Sequence, residues 1–407
     1  MLRHFDHWLP MPEPSRVTRR QALTSLALVA GGAASAATAP AQSPAAPRAA
    51  APVPTTAPVD LFSVPQYEER ARGLMSVPAW EYYDQGCADD VTVRWNREAL
   101  QRLRFESRVL VDVERIDTAT TLLGRPLAHP ILLAPAAAHM LVHPEGEVAT
   151  ARGAGAAAAI MVLSMNANCA VEAVVAAAAQ PLWFQLYVDR DRAIAKDVIH
   201  RVEAAGCAAL CVTVDQPVIY ARDRSSRQTE ALRALPLPNV PRILPGGVTQ
   251  TSANRTRSLT WKDLEWFRSV TKLPVVLKGV MHPDDAEQAI QAGADAIIVS
   301  NHGGRALDGV AATIDALPRV AERVARRMPV LMDGGIRRGG DVLKALARGA
   351  NAVLIGRPYL YGLAVNGSDG VRHIVEILRR ELETAMALTG RTTIAQIDRS
   401  VLWPDTP

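Results

Sequence analysis

From Ile131 onward the chain repeats one unit, a run of consecutive apolar residues followed by a stretch with apolar positions at helical spacing, in most cases ending at glycine. These runs predict strands over 131–137, 159–165, 182–188, 209–215, 274–280, 296–302, 329–335 and 352–358. Consecutive rather than alternating apolarity marks strands covered on both faces, as in a parallel sheet flanked by helices. Strand starts recur at about 22 to 33 residues, with one gap near 65 between the fourth and fifth, so a long loop is expected over 216–260. Eight such units predict an α/β chain built as a (β/α)8 TIM barrel, preceded by a short N-terminal helical segment. A doubly wound open sheet is the other architecture this pattern allows, but no GxGxxG follows the first run.

Polar residues interrupt the apolar runs at their C-terminal ends: Ser164, then Gln185 and Tyr187, Thr213 and Asp215, Lys278, Ser300 and His302, Asp333, and Arg357. Inside a closed barrel those positions have no solvent face, and the C-terminal ends of the strands are where such barrels keep their active sites. The end of the sixth strand, Ser300-Asn301-His302-Gly303-Gly304-Arg305, brings a histidine and an arginine together. An imidazole can take a proton near neutrality and a guanidinium can clamp a carboxylate in a planar fork. A small hydroxy or oxo acid suits both. Asp333-Gly334-Gly335-Ile336-Arg337-Arg338-Gly339 and Gly356-Arg357-Pro358 follow the last two strands, the usual place for a phosphate in these barrels.

The first 59 residues read as lying outside the fold. Thr18-Arg19-Arg20 precedes a mildly apolar, Ala- and Gly-rich stretch and then Ala39-Pro40-Ala41, which reads as a twin-arginine export signal over 1–41 and a periplasmic destination. Residues 42–59, with proline at 44, 47, 52, 54 and 58, read as a stiff tether to a catalytic domain over 60–407. The net charge is +4, of which residues 1–41 hold half, so no basic cluster is left for nucleic acid. The insertion is polar and broken by proline, which argues against a membrane anchor. Cys87, Cys169, Cys207 and Cys211 are four thiols in a long chain. They read as buried and unpaired, with no metal site, since no second Cys or His pair accompanies 207 and 211.

Glu81-Tyr82-Tyr83-Asp84-Gln85-Gly86, Phe184-Gln185-Leu186-Tyr187, Thr213-Val214-Asp215, Leu277-Lys278-Gly279, Ser300 to Arg305 with Leu307-Asp308, and Asp333 to Gly339 occur in this order along the chain. In this order they resemble the FMN-dependent α-hydroxy-acid oxidases and dehydrogenases, the group that includes glycolate oxidase, lactate oxidase, mandelate dehydrogenase and the flavin domain of flavocytochrome b2. The resemblance implies FMN as cofactor and oxidation of a small L-2-hydroxy acid to the 2-oxo acid. Oxygen, a quinone or a cytochrome would take the electrons, and the protein would form a homotetramer. It implies His302 as the proton-abstracting group, Asp215 as its partner, Tyr187 at the substrate hydroxyl and Lys278 beside the flavin. Tyr82, Arg222 and Arg305 would hold the substrate carboxylate. Ala136, Ser164, Gln185, Thr213, Lys278 and Ser300 would contact the flavin ring, Asp333 its ribityl chain, and Gly335, Arg337, Gly356 and Arg357 its phosphate.

Two departures bear on the substrate. Ala136 stands where glycolate oxidases carry a hydroxyl, and Asn166 where they carry a large aromatic that limits the pocket. The runs Ala134 to His139 and Lys278 to Pro283 look more like lactate oxidases, so a lactate-like acid is expected. Two other readings are weaker. An FMN-dependent isomerase of isoprenoid diphosphates would not need His302, Arg305 and Tyr82 together. A non-catalytic exported carboxylate-binding protein would need neither base nor flavin.

Overall fold

A computed structural model describes residues 60–219, 222, 229–240 and 255–404. The expected export signal and tether lie outside these residues. Three helices precede the barrel: α1 Val64–Leu74, α2 Val77–Asp84 and α3 Val91–Arg102. Ser63 and Ser76 cap the first two by accepting from Gln66 N–H and Ala79 N–H, with proline in each first turn, the pairing that starts a helix where its orphan donors need partners. No side chain of its own caps α3. Its N-terminus instead faces the Asp308 carboxylate, which accepts from Thr92 at 2.8 Å and from Val91 and Asp89 at 3.2 Å. A carboxylate there completes the open N–H groups and sits favourably on the helix dipole. The same contact ties α3 to the segment that carries His302.

All eight expected strands are present and parallel: β1 Ile131–Leu133, β2 Val162–Ser164, β3 Trp183–Leu186, β4 Ala209–Thr213, β5 Val275–Lys278, β6 Ala296–Val299, β7 Val330–Asp333 and β8 Ala352–Ile355. Neighbours pair from β2 through to β8, and β8 pairs with β1. Leu133 N–H donates to the Ile160 carbonyl at 2.9 Å and bridges Met161, which closes the ring. The ladders are shorter than the expected seven-residue strands. Beyond Leu133, Ser164, Thr213 and Lys278 the chain leaves the ladder, and Ser164, Thr213 and Lys278, the last paired residues of β2, β4 and β5, line a cavity there.

Alternate strand residues divide the apolar interior in two. Leu132, Val162, Cys211, Val276, Ile298, Leu331 and Leu354 fill the lumen, together with Leu122 and Leu127 from the hairpin Thr120–Leu122 and Arg125–Leu127. That hairpin therefore plugs the end opposite the polar one. Leu133, Leu163, Phe184, Leu210, Leu277, Ile297 and Val353 face outward into the larger cluster against the helices. The expected 216–260 loop carries a short helix, Thr229–Arg233, and Asn239, whose side chain binds Val171 N–H and the Cys169 carbonyl. The four cysteines are buried and unpaired, and among the described residues no helix is long and apolar enough to cross a membrane.

Candidate active site

The C-terminal mouth of the barrel holds a cavity of about 180 Å³. Of the residues singled out from the sequence, Tyr82, Ala136, Ser164, Gln185, Tyr187, Thr213, Arg222, Lys278, His302, Arg305, Asp333, Gly335, Arg337, Gly356 and Arg357 line it. Asp215 and Ser300 stand just behind, each bonded to a residue that lines the cavity.

His302 is held in a left-handed conformation with φ of 59°, immediately after β6. Its N–H donates to Ser300 Oγ at 3.0 Å, and the preceding Asn301 exchanges amide hydrogen bonds with Asn96 of α3 at 2.8 and 2.9 Å. His302 Nδ1 lies 2.9 and 3.2 Å from the two Asp215 carboxylate oxygens, and Nε2 lies 3.4 Å from Tyr187 OH. Burial pushes the imidazole down and Asp215 pulls it up; burial prevails, so its pKa lies below the ordinary histidine value. Burial acts upward on the Asp215 carboxyl, but His302 and Lys278 outweigh it and hold the group ionised. The pair is thus a neutral imidazole oriented by a carboxylate, with Nε2 directed at the cavity. Gly279, at φ 114°, permits the approach of β5 to Asp215, since a Cβ there would overlap the Asp215 side chain.

Lys278 Nζ donates to Ser300 Oγ at 2.9 Å and pairs with Asp333 at 3.2 Å. Although burial lowers its pKa, Asp333 and Asp215 carry it above the usual ammonium range, so the charge persists. Arg305 donates from one nitrogen to the carbonyls of Tyr82 and Gln85 at 2.7 and 2.6 Å, and lies 5.3 Å over the Tyr82 ring. Burial, and Arg222 beside it, lower its pKa to about 9. A guanidinium buried next to a second one favours an anion between them.

Among the described residues, six that line the cavity have a buried side-chain atom with no hydrogen-bond partner: Asn166 Oδ1, Gln185 Nε2, Thr213 Oγ1, Arg222 Nε, Arg255 Nε and Asp333 Oδ1. The Gln185 donor, the Thr213 hydroxyl and the Asp333 acceptor, left open at the ends of β3, β4 and β7, are what the ring and ribityl edges of a flavin would satisfy, so the residues present fit FMN. Arg357 and Arg337 line the part of the cavity at the exits of β8 and β7. Arg357 donates to the carbonyls of Tyr83, Gly303, Asp84 and Gln85, and Arg337 reaches Glu68 at 3.5 Å. Arg357 thus locks α2 to the exit of β8 while keeping its charge at the cavity. Gly335 lines the cavity, but its lack of a side chain is already required by α3, where a Cβ would overlap the Asn96 carbonyl.

Several participants were not singled out from the sequence as site residues. Gln216 donates to the Arg305 carbonyl at 2.9 Å, and Arg255 donates to Gln216 at 3.2 Å while lying 3.3 Å over the Tyr187 ring. Both belong to the long insertion, where no periodicity points to a site. Asn166, noted only as a departure, lines the cavity with its Oδ1 buried and unpartnered. Tyr83 donates to the Ala137 and Ala138 carbonyls, and Tyr359 to that of Ala134, fixing the loop that presents Ala136. Fully buried Glu147, on α4 Gly146–Ala156, accepts from His139, Asn168 and Cys169, so one carboxylate joins the loops after β1 and β2. The motif HPEGE gave no hint of that duty. Among the described residues no group of His, Cys, Asp and Glu is arranged to hold a metal ion.

Residues 71–404 match the family described as FMN-dependent dehydrogenase. The chain is 45% identical over 363 residues to an L-lactate oxidase of Nostoc sp., covering 85% of this chain and 98% of that protein. It is 43% identical over 350 residues to glycolate oxidase 3 of Oryza sativa subsp. indica, covering 84% and 95%. Its fold is similar to a solved (S)-mandelate dehydrogenase mutant, with a TM-score of 0.80 at 32% identity over 84% of this chain and 99% of that one. These relatives do not favour the isomerase or the non-catalytic binding protein. With a histidine oriented by a carboxylate, two buried guanidinium groups and a set of open polar atoms at one barrel mouth, the chain belongs to the FMN-dependent dehydrogenase family and is an FMN-dependent oxidoreductase of 2-hydroxy acids.

Proposed function

We propose that the protein oxidises a short L-2-hydroxy acid of the lactate skeleton to its 2-oxo acid. The His302–Asp215 pair carries the reading: a neutral Nε2, oriented from behind at 2.9 Å, faces the same cavity as Arg305. Arg305, Arg222 and the Tyr82 hydroxyl hold the carboxylate, which sets the C2 hydroxyl between Tyr187 and His302. His302 takes the departing proton, and Asp215 stabilises the imidazolium that forms. Bound FMN supplies the two-electron acceptor. Lys278, cationic and buried, balances negative charge that develops on the adjoining ring. Ala136, Ser164, Gln185, Thr213 and Ser300 orient that ring, Asp333 holds the ribityl chain, and Gly335, Arg337, Gly356 and Arg357 the phosphate.

Lactate is the reference substrate because the 45% identical relative is named an L-lactate oxidase and the loop after β1 carries small residues. Oxygen, a quinone or a cytochrome then reoxidises the enzyme. The twin-arginine pattern at Arg19-Arg20 supports export in folded form to the periplasm. The exposed apolar run Val109, Leu110 and Val111 supports self-association, with a tetramer as the form to look for by light scattering. Anaerobic titration tests the reaction: the purified protein should be yellow and should bleach with L-lactate. A yellow protein that no 2-hydroxy acid bleaches would overturn it.

A further inference from the structure

Arg255 stands apart from the other guanidinium groups of the cavity. Arg305 and Arg222 serve the substrate carboxylate in the reading above, and Arg337 and Arg357 lie at the phosphate end. Arg255 has neither duty, yet its position is built. Its backbone bridges Asp189 in antiparallel fashion, and the next residue, Thr256, donates to the Val188 carbonyl at 2.9 Å, so the exit of β3 carries it. The side chain lies flat on Tyr187 and donates one bond, to Gln216 at 3.2 Å. Its Nε is buried without a hydrogen-bond partner. Among the described residues no carboxylate is ion-paired with it, and the two acids of the site are taken, Asp215 by His302 and Asp333 by Lys278.

A buried donor left open is costly unless a ligand meets it, and a guanidinium is met best by two oxygens of one anion. With the C2 hydroxyl at Tyr187 and His302, the substituent on C3 is the part of the substrate that reaches the Tyr187 face. We infer that Arg255 forms a side-chain subsite for a second carboxylate, so that short 2-hydroxydicarboxylic acids are preferred over lactate itself. The inference rests on the placement of C1 and the hydroxyl proposed above. The chemistry is unchanged: the C2–H and O–H bonds break and a C=O bond forms, His302 takes one of the two protons released, and bound FMN would take the two electrons with the other proton. The second carboxylate is a handle and does not react.

The test is anaerobic flavin reduction of the holoenzyme by L-malate and by L-lactate, in the wild type, Arg255→Met and Arg255→Lys. The wild type should show a malate to lactate ratio of reduction efficiency of at least about 10, the worth of one well-made charged contact. Arg255→Met should lower that ratio at least about 10-fold, chiefly through the apparent dissociation constant for malate. Arg255→Lys should fall between, since the ammonium keeps charge and loses the fork. A wild-type ratio below one would overturn the inference. So would an Arg255→Met variant that slows both acids equally, which would make Arg255 a partner of Tyr187 rather than of the substrate. If neither acid, nor any other 2-hydroxy acid, bleaches the flavin, the base-and-clamp reading itself fails and this one falls with it.

Discussion

Asp215→Asn isolates one charge in the proposed mechanism. The amide keeps the shape of the carboxylate and can still accept from His302 Nδ1, so orientation survives and the negative charge does not. The carboxylate oxygens lie 2.9 and 3.2 Å from Nδ1, which puts the charge centres of carboxylate and imidazolium roughly 4 Å apart. At an effective dielectric constant of about 20, that separation is worth about 4 kcal/mol, or about three decades in rate if proton transfer is complete in the transition state. Transfer is partial, so a loss of about 10²- to 10³-fold is expected. Lys278 pushes the imidazole in the same unfavourable direction, and with Asp215 neutral only the weaker pull of Asp333 is left to offset it. Stopped-flow reduction of the anaerobic variant should therefore show a slower limiting rate with little change in apparent substrate affinity. Reduction within threefold of wild type, or a loss confined to affinity, would refute the assignment of Asp215 as the stabiliser of the imidazolium.

Four further outcomes are expected. His302→Ala should lose about 10²- to 10⁴-fold in flavin reduction with FMN retained, and the double variant with Asp215→Asn should be scarcely slower, because the two act as one unit. Arg305→Lys keeps charge without the fork, so apparent substrate affinity should fall roughly tenfold or more while the flavin spectrum is unchanged. Burial, outweighing Asp215, sets His302 below the ordinary value of 6.5, and the working form is unprotonated. Reduction efficiency should thus be flat from neutral pH downward and fall only below that value, and any stability the neutral imidazole contributes is lost in the same acid range; a limb centred above 6.5 would contradict the burial argument. Replacing Arg19 and Arg20 by Lys should leave FMN-loaded activity in the cytoplasm, which fractionation would read directly.

The barrel was legible because a parallel strand covered on both faces has to be apolar at successive positions, and each of the eight ladders falls inside such a run. The site was legible for a related reason. A polar residue at the end of a buried run is expensive unless it has a task, and Ser164, Gln185, Thr213, Lys278 and Asp333 all sit at such places. What escaped notice lacks that contrast. Glu147 lies on α4 among ordinary helical residues, and only the fold shows that its carboxylate is fully buried under two loops. Arg255 and Gln216 come from the insertion, where a polar residue is the rule and carries no signal until the fold bridges Arg255 to Asp189 beyond β3 and sets Gln216 on the Arg305 carbonyl.

Glycine is ambiguous in sequence for a physical reason. Gly335 reads as a phosphate cradle because a bare backbone can approach oxygens, yet its Cβ is excluded by α3 from the other side. Gly279 falls inside the predicted strand run 274–280 and in fact makes room for Asp215 behind His302. Each substitution would add volume on the protein side of the cavity, so its first effect would be on the distances that make the site work. The same holds for the Asn96–Asn301 amide pair, which touches neither substrate nor flavin but fixes the strand end from which His302 projects. Rate in this barrel therefore depends on residues of α3 and β5 as directly as on the imidazole, because a proton-abstracting pair held at 2.9 Å tolerates little movement of either partner.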